Sequence, residues 1–454
     1  MGILGDLRSL IGEDLVLDPE SLGTRAAGIG RPEKMVAAAM ARPKTTEQVS
    51  AILRWCNSNG VKVVPYGGNS GLVRGTLSRA DDVVLSLELM NRIENIDGAQ
   101  RSALVQAGVV LQHLNDAVSE HGLIFPLDLG GRGSATVGGN ASTNAGGNRV
   151  IRFGMMRDMT LGVEAVLADG TIVSSLRPFI KNNTGYDLKH LFIGSEGTLG
   201  VITRLMLRLR ERPAESNVAF VASDSFAGMV GMLRHMDRAL GGTLSAFEVM
   251  WNSFYRLVTS PPAIGRPPLS QDYPFYMLIE ALGAGTDQFN AALEGALGLE
   301  LINDAVIAQS QTECTGLWSL RDDMSQLNRH GVHITFDISL PAADMERYTQ
   351  EVAQELPDLI GDHQLYIFGH LGDGNLHVVV GVSLGVYPEA KAKVEQLVYG
   401  KLKAIGGSVS AEHGIGLDKK SWLPISRSEA EIALMRAIKQ ALDPMATLNP
   451  GKIL

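Results

Sequence analysis

Basic charge, cysteine and long apolar runs are all scarce in this chain. Acidic residues outnumber basic ones, 49 to 40, which leaves a formal charge of −9 and a pI of about 5.6. Binding a phosphate backbone requires a basic face, so a nucleic acid is excluded as the main partner. A local basic pocket for a small acid is still allowed. Only Cys56 and Cys314 occur. Two cysteines cannot build a disulfide framework, which points to a reducing compartment and a cytoplasmic location. No stretch approaches the roughly 18 uncharged apolar residues of a membrane span. Charges interrupt every apolar run in 1–18, so no secretory h-region is expected there. Walker A is absent, and so is a G-x-G-x-x-G set between strand and helix with an acid about 20 residues on. A nucleotide site in this chain belongs to some other type. No internal repeat or low-complexity tract is visible.

Glycine, by contrast, is abundant: 51 residues in 454, against a usual share of about 7%. The length exceeds one hydrophobic core, so two or three domains are expected. Residues 44–60 predict a helix, with Thr45 and Gln48 as a capping box and Gly60 ending it. A short strand over 61–64 stops at Pro65. Residues 110–122 predict a second helix, and Asp97-Gly98 and Asp169-Gly170 read as hairpin turns. Beyond Pro213, helical patterns (225–240, 342–356, 388–404) alternate with strand-like runs (217–222, 274–280, 333–339, 364–369, 376–382), the signature of an α+β domain with an antiparallel sheet. A last helix falls near 428–442.

The glycines cluster in three places. PYGGNSG (65–71) suits a nest in which backbone N–H groups converge on an anion such as a pyrophosphate. LGGRGSATVGGNASTNAGGN (129–148) mixes glycine with Ser134, Thr136, Asn140, Ser142, Thr143 and Asn144, all able to bond phosphates, ribityl hydroxyls or a ring edge. GSEGTLG (194–200) follows strand-like Leu191-Phe-Ile193. Tight turns in a glycine-rich β protein would explain one such cluster; three of them point to a nucleotide site.

Downstream, YIFGHLGDGNLHVVVG (366–381) sets strand-like runs about a glycine turn, so His370 and His377 face each other at the mouth of a hairpin. Glu412, in SAEHGIG (410–416), could join them. Two histidines and a carboxylate with an open position form a catalytic zinc pattern, although manganese, iron and cobalt tolerate the same ligands. Spacing alone leaves a metal and a pair of structural histidines equally open. His413 cannot readily point the same way as Glu412 and could approach as a base.

VVPYGGNSG, PLDLGG, GGNASTNAGGN, RDMTLGVEAVLADG and FIGSEGTLGVIT strongly resemble the FAD domain of the vanillyl-alcohol oxidase / p-cresol methylhydroxylase superfamily, continuously over 40–212. The resemblance implies an α+β fold: a two-part FAD-binding domain over 1–212 (core 40–212), a substrate-binding domain over 213–404 with an antiparallel sheet, and a C-terminal helical segment, 405–454, returning to the FAD domain. It implies FAD contacts from Gly67, Gly68, Asn69, Ser70 and Gly71 around the pyrophosphate, and from Pro126, Gly138, Thr143, Gly146, Gly194, Glu196, Gly197 and Ile202. Pro65, Gly139, Asn140 and Asn449 complete the cofactor set. Some relatives tether the flavin through His or Cys. Neither lies within 65–71 or 129–148, so the FAD is expected to be noncovalent.

GHLGDGNLH and SAEHGIG, with the closing NPGKIL, resemble the branch that contains D-2-hydroxyglutarate dehydrogenase and the flavin-linked D-lactate dehydrogenases. That resemblance implies a divalent metal, usually zinc, on His370, His377 and Glu412, with His413 removing the substrate hydroxyl proton and also binding substrate. Arg321 matches an arginine that binds a substrate carboxylate; Ser325 matches a threonine, and Asn375 is available to a carboxylate. The hydroxyglutarate enzymes carry a lysine before Asp-hydrophobic-Ser-Leu-Pro. Here FDISLP (336–341) follows Thr335, so that cation is missing, and His333 is the nearest substitute. D-2-hydroxyglutarate leads as substrate, followed by D-lactate or D-malate. A metal-independent alcohol or lactone oxidase and a non-catalytic nucleotide-binding protein are the competing readings. Relatives pass electrons to electron-transfer flavoprotein, quinones or cytochromes, but no docking motif for any of them is legible. A homodimer is compatible with the sequence.

Overall fold

A computed structural model describes residues 2–28 and 33–454. The chain forms two compact units. One comprises 1–147, 154–212 and 412–454; the other comprises 148–153 and 213–411. The segment 405–411, expected with the C-terminal part, belongs instead to the second unit, because Ser339 and Ser408 exchange both backbone hydrogen bonds. Residues 148–153 join that unit for a similar reason: Arg149 is tied to the buried Glu280. Among the described residues no helix is long and apolar enough to cross a membrane, and both cysteines are free and buried.

In the first unit, β1 (Val16–Leu17), β2 (Ala39–Ala41), β3 (Val63–Tyr66) and β4 (Val83–Ser86) form a sheet in the order β1-β2-β4-β3. β3 runs through Pro65 rather than stopping before it. It can do so because β3 is the edge strand of this sheet, bridged on its open side to Leu448 at Val63, so the missing N–H of proline breaks no central ladder. β5 (Ile93–Asp97), β6 (Ser102–Gln106), β8 (Thr160–Val166), β9 (Ile172–Ser174) and β10 (Val201–Arg208) form an antiparallel sheet, while β7 (Leu123–Ile124) pairs with β11 (Arg210–Glu211). The helix Thr46–Ser58 buries Val49, Ile52, Leu53 and Cys56 against this core. Its Gln48 side chain accepts from the Lys44 N–H, one residue earlier than a capping box requires.

Two local expectations fail. Leu191-Phe-Ile is not a strand; Lys189–Phe192 is a single helical turn. Part of the second glycine cluster, Val137–Thr143, is a helix capped by the Thr136 hydroxyl, which accepts from the Gly139 N–H. The cap and a 3.6-residue register satisfy backbone groups that a run of small residues would otherwise leave to solvent.

The second unit is a seven-stranded antiparallel sheet built from β12 (Ser216–Ser223), β13 (Leu244–Trp251), β14 (Phe275–Leu282), β15 (Asp304–Ile307), β16 (Val332–Ser339), β17 (Gln364–His370) and β18 (Asn375–Val382), in the order β15-β12-β14-β13-β17-β18-β16. Strand registry places Glu248 opposite His370, Phe368 opposite His377, and Asp337 opposite His377. Side chains alternate across a sheet, so Glu248, His370, His377 and Asp337 share one face. Helices Asn252–Thr259 and Gln311–Asp322 supply apolar side chains to the core on that face. Helices Ala342–Ile360 and Tyr387–Leu402 pack on each other, with the Tyr348 hydroxyl bonded to the Val398 carbonyl.

Glu280 is 2% exposed and accepts from Arg149 Nε (2.8 Å), Arg149 Nη2 (3.0 Å) and the Ser245 hydroxyl (2.7 Å). Glu280→Ala is expected to destabilise the second unit by about 2 kcal/mol, because Arg149, a quarter exposed, and Ser245 lose charge-assisted hydrogen bonds. Urea unfolding followed by circular dichroism checks this. An unchanged midpoint contradicts it.

Candidate active site

In the first unit the three glycine clusters interlock through backbone contacts. A side chain at Gly68 would place its Cβ 1.9 Å from the Ser134 carbonyl oxygen, so only glycine brings the 67–71 loop this close to the second cluster. Gly147 is held in the same way against the Asp128 carbonyl, at 2.0 Å, and has a φ of +105° that favours glycine. The third cluster docks on the helix of the second: the Gly194 N–H donates to Ala141 O and the Glu196 N–H to Ser142 O. The C-terminal segment then closes the ring. Asn449 N–H donates to Val63 O (2.7 Å) and Asn449 Nδ2 to Glu196 O (2.8 Å).

A cavity of about 490 Å³ opens between these loops, lined by Tyr66, Gly67, Gly68, Ser134 and Thr136, and also by Arg25, Glu88 and His113. The last three escaped the sequence reading. Arg25 forms a two-pronged pair with Glu88 at 2.8 and 3.1 Å, and the paired cation, with that of Arg42, outweighs burial and keeps the Glu88 carboxyl below its ordinary range. Two buried polar atoms, Asn140 Nδ2 and Asn449 Oδ1, have no protein partner. One donor and one acceptor left unmet within the interlocked glycine loops fit a cofactor rich in phosphate and hydroxyl groups.

Some expected cofactor contacts are already engaged. Ile202 is 2% exposed and packs in the hydrophobic core. The Thr143 hydroxyl bonds back to Gly139 O within its helix. The Glu196 side chain accepts from Ile415 and Gly416 N–H (2.7 and 2.8 Å); burial raises its carboxyl pKa despite those bonds. This side chain anchors the 412–416 turn, and the Glu196 N–H and carbonyl are already bonded to Ser142 and Asn449, so Glu196 braces the loops around the cradle. In that turn Glu412 Oε1 accepts from the Gly147 N–H (2.9 Å), and His413 is half-buried.

In the second unit His370 and His377 stand edge to face with ring centroids 5.4 Å apart. Glu248, fully buried, accepts from His370 Nδ1 at 2.6 Å and from Arg321 Nε at 2.7 Å. Burial would raise this carboxyl, but the facing His370 and Arg321 outweigh it and hold it below the ordinary glutamate range. Arg321 closes the helix Gln311–Asp322, is 5% exposed, and lays its guanidinium carbon 4.9 Å from the Phe368 ring centre. Asp337, also fully buried, lies 3.9 Å from His377 Nδ1 and accepts from Asn375 Nδ2 (2.9 Å) and the Ala411 N–H (3.1 Å). Glu248 and Asp337 were missed as site residues. Each is the one acid of its strand and has an apolar residue on either side in sequence, which is the signal that could have revealed them.

Three expectations change here. Asn375 donates both amide hydrogens inward, to Asp337 Oδ1 and Ile338 O, and its buried Oδ1 has no partner. It therefore presents an acceptor, not the donor that a carboxylate needs. Ser325 does not continue the helix of Arg321; it lies in the 3-10 turn Met324–His330 and is exposed, with its hydroxyl on Asp323. His333 cannot replace a lysine, because burial lowers its pKa and its Nδ1 has no partner, so it stays neutral.

A glycine-interlocked nucleotide cradle in one unit and a buried histidine–carboxylate cluster in the other define a flavoprotein class, and family models agree. Residues 37–175 match an FAD binding domain, and residues 212–453 match the C-terminal domain of FAD linked oxidases. The chain belongs to the FAD-linked oxidases and is an FAD-dependent oxidoreductase. Among its relatives is the mitochondrial D-2-hydroxyglutarate dehydrogenase of Bos taurus, 38% identical over 99% of this chain and 83% of the relative. The rat (Rattus norvegicus) enzyme of that name is 40% identical over 97% of this chain and 82% of its own length. A putative mitochondrial D-lactate dehydrogenase of Schizosaccharomyces pombe is 38% identical over 90% and 80%. The fold is also that of p-cresol methylhydroxylase, with a TM-score of 0.78 at 17% identity over 99% of this chain and 96% of that one.

Gly68→Val is expected to yield folded protein without flavin, read as loss of the yellow absorbance after purification. A folded variant carrying stoichiometric flavin contradicts the loop assignment.

Proposed function

We propose that this enzyme oxidises a D-2-hydroxy acid to the 2-oxo acid, with D-2-hydroxyglutarate as the leading substrate and a divalent cation assisting. The observation that carries the reading is the pair His370 and His377, each beside a buried carboxylate, in a chain whose relatives bear the name D-2-hydroxyglutarate dehydrogenase. His370 and His377 would hold the cation together with Glu412, the residue bonded to Ala411, whose own N–H is fixed by Asp337. Two imidazoles and a carboxylate fit zinc, and manganese or cobalt equally. When bound, the cation lowers the pKa of the substrate hydroxyl. FAD, held noncovalently, supplies the acceptor for the C2 hydride at its N5.

The remaining chemistry belongs to side chains. Arg321 offers guanidinium N–H groups to the substrate carboxylate. A ring nitrogen of His413 takes the hydroxyl proton as the C2–H electron pair departs, so the carbonyl forms without building up negative charge. Asn375 Oδ1, an acceptor, suits a hydroxyl hydrogen better than a carboxylate. D-lactate and D-malate remain as second readings; one specific feature favours D-lactate, which has no distal carboxylate, because Thr335 and the neutral His333 supply no cation for one.

His413→Ala is expected to retain its yellow colour while flavin reduction by substrate slows about 10²–10⁴-fold, the range of a general base. Stopped-flow absorbance checks this, and bleaching at the normal rate contradicts it. Exhaustive chelation is expected to abolish most turnover without releasing flavin, and added Zn²⁺, Mn²⁺ or Co²⁺ to restore it. Full turnover in demonstrably metal-free protein would favour a metal-independent alcohol or lactone oxidase.

A further inference from the structure

We propose that Glu248 is a positioning residue that locks the His370 imidazole in one tautomer and aims the Arg321 guanidinium, so that a single buried carboxylate aligns two groups of the reaction. The inference rests on the roles just given to His370 and Arg321. Glu248 lies on β13 directly opposite His370 on β17. Its two oxygens are divided, Oε1 to His370 Nδ1 at 2.6 Å and Oε2 to Arg321 Nε at 2.7 Å.

The tautomer follows from two independent contacts. An ionised carboxylate only accepts, so Nδ1 carries the hydrogen. On the far side of the ring, Arg321 Nη2 lies 3.4 Å from His370 Nε2. A guanidinium only donates, so Nε2 must carry the lone pair. Both contacts demand the same form, in which Nε2 is unprotonated and can take a cation in place of the long Arg321 contact. A carboxylate behind a ligating histidine also raises the basicity of the ring and fixes its plane.

Arg321 is fixed by the same carboxylate. With Nε on Glu248 and Nη2 beside His370, its side edge is occupied, and Phe368 covers the guanidinium at 4.9 Å. These contacts orient the planar fork, and its remaining N–H groups point where the tether dictates. Glutamine cannot replace this carboxylate. Its one carbonyl oxygen satisfies either His370 or Arg321, and its NH2 then opposes the other donor.

The test uses FAD-loaded Glu248→Gln and two readouts besides turnover. Competition with a chromogenic chelator is expected to show zinc affinity weakened about 10–100-fold, and KM for the hydroxy acid is expected to rise in the same protein. A variant whose thermal midpoint falls while zinc affinity and KM stay at the parent values would reduce Glu248 to a structural residue and overturn the proposal. Because removing a buried charge can prevent folding, a second measurement uses the unsubstituted chain. In metal-free protein labelled with ¹⁵N-histidine, the His370 signal, assigned among ten histidines by its loss in His370→Asn, is expected to show a protonated Nδ1 and a bare Nε2. A protonated Nε2 overturns the lock. If that tautomer is present but the parent protein binds no zinc, the cation reading fails and the role of Glu248 stands.

Discussion

Two carboxylates with no solvent exposure, Glu248 and Asp337, set the terms for the second unit. An ionised carboxylate in such surroundings must be surrounded by donors or cations, or it costs several kcal/mol. Glu248 meets that need by gathering His370 from a neighbouring strand and Arg321 from the end of a helix. Asp337 meets it by gathering Asn375, Ser410 and the Ala411 N–H. The turn 371–374, the helix end at Arg321 and the segment 408–411 are fixed relative to one another by these two acids. What looks like an active-site arrangement is also the solution to a burial problem.

The first unit depends on a different constraint, the absence of side chains. Its cradle exists because Gly68 and Gly147 let backbones approach to distances at which a Cβ would collide with carbonyl oxygens. Close backbone approach across three separate clusters needs an outer fastening, and the C-terminal segment supplies it. Asn449 bonds both Val63 and the backbone of Glu196, while Lys439, its pKa lowered by burial, donates to Thr198 O and Leu448 O. Residues far apart in sequence thus fasten one glycine-lined cradle.

The glycine clusters, both histidine motifs and the five strands 217–222, 274–280, 333–339, 364–369 and 376–382 were legible because glycine, histidine and alternating β-branched residues carry local signals. β13 was not. Its sequence LSAFEVMW breaks the alternation with Ser245 and Glu248, whose partners lie on other strands and helices. The helix at Val137–Thr143 was hidden by its glycines, which argue for a loop until the Thr136 cap is seen. The helix of Arg321 ends at Asp322, so helical spacing cannot place Ser325 relative to it. The direction of the Asn375 amide depends on Asp337 across the strand pair, which no local pattern encodes. FAD binding was legible from motifs; the carboxylates that orient the histidines appear only with the fold.

The account stands on oxidation of a D-2-hydroxy acid by the bound flavin. The most direct measurement is anaerobic mixing of purified enzyme with a panel of D- and L-2-hydroxy acids while the visible flavin band is followed. Rapid bleaching by D-2-hydroxyglutarate, with slower bleaching by D-lactate or D-malate and none by the L-enantiomers, is the result predicted. A flavin that stays oxidised with every D-2-hydroxy acid, or bleaches with an aryl alcohol or a sugar lactone instead, would contradict it.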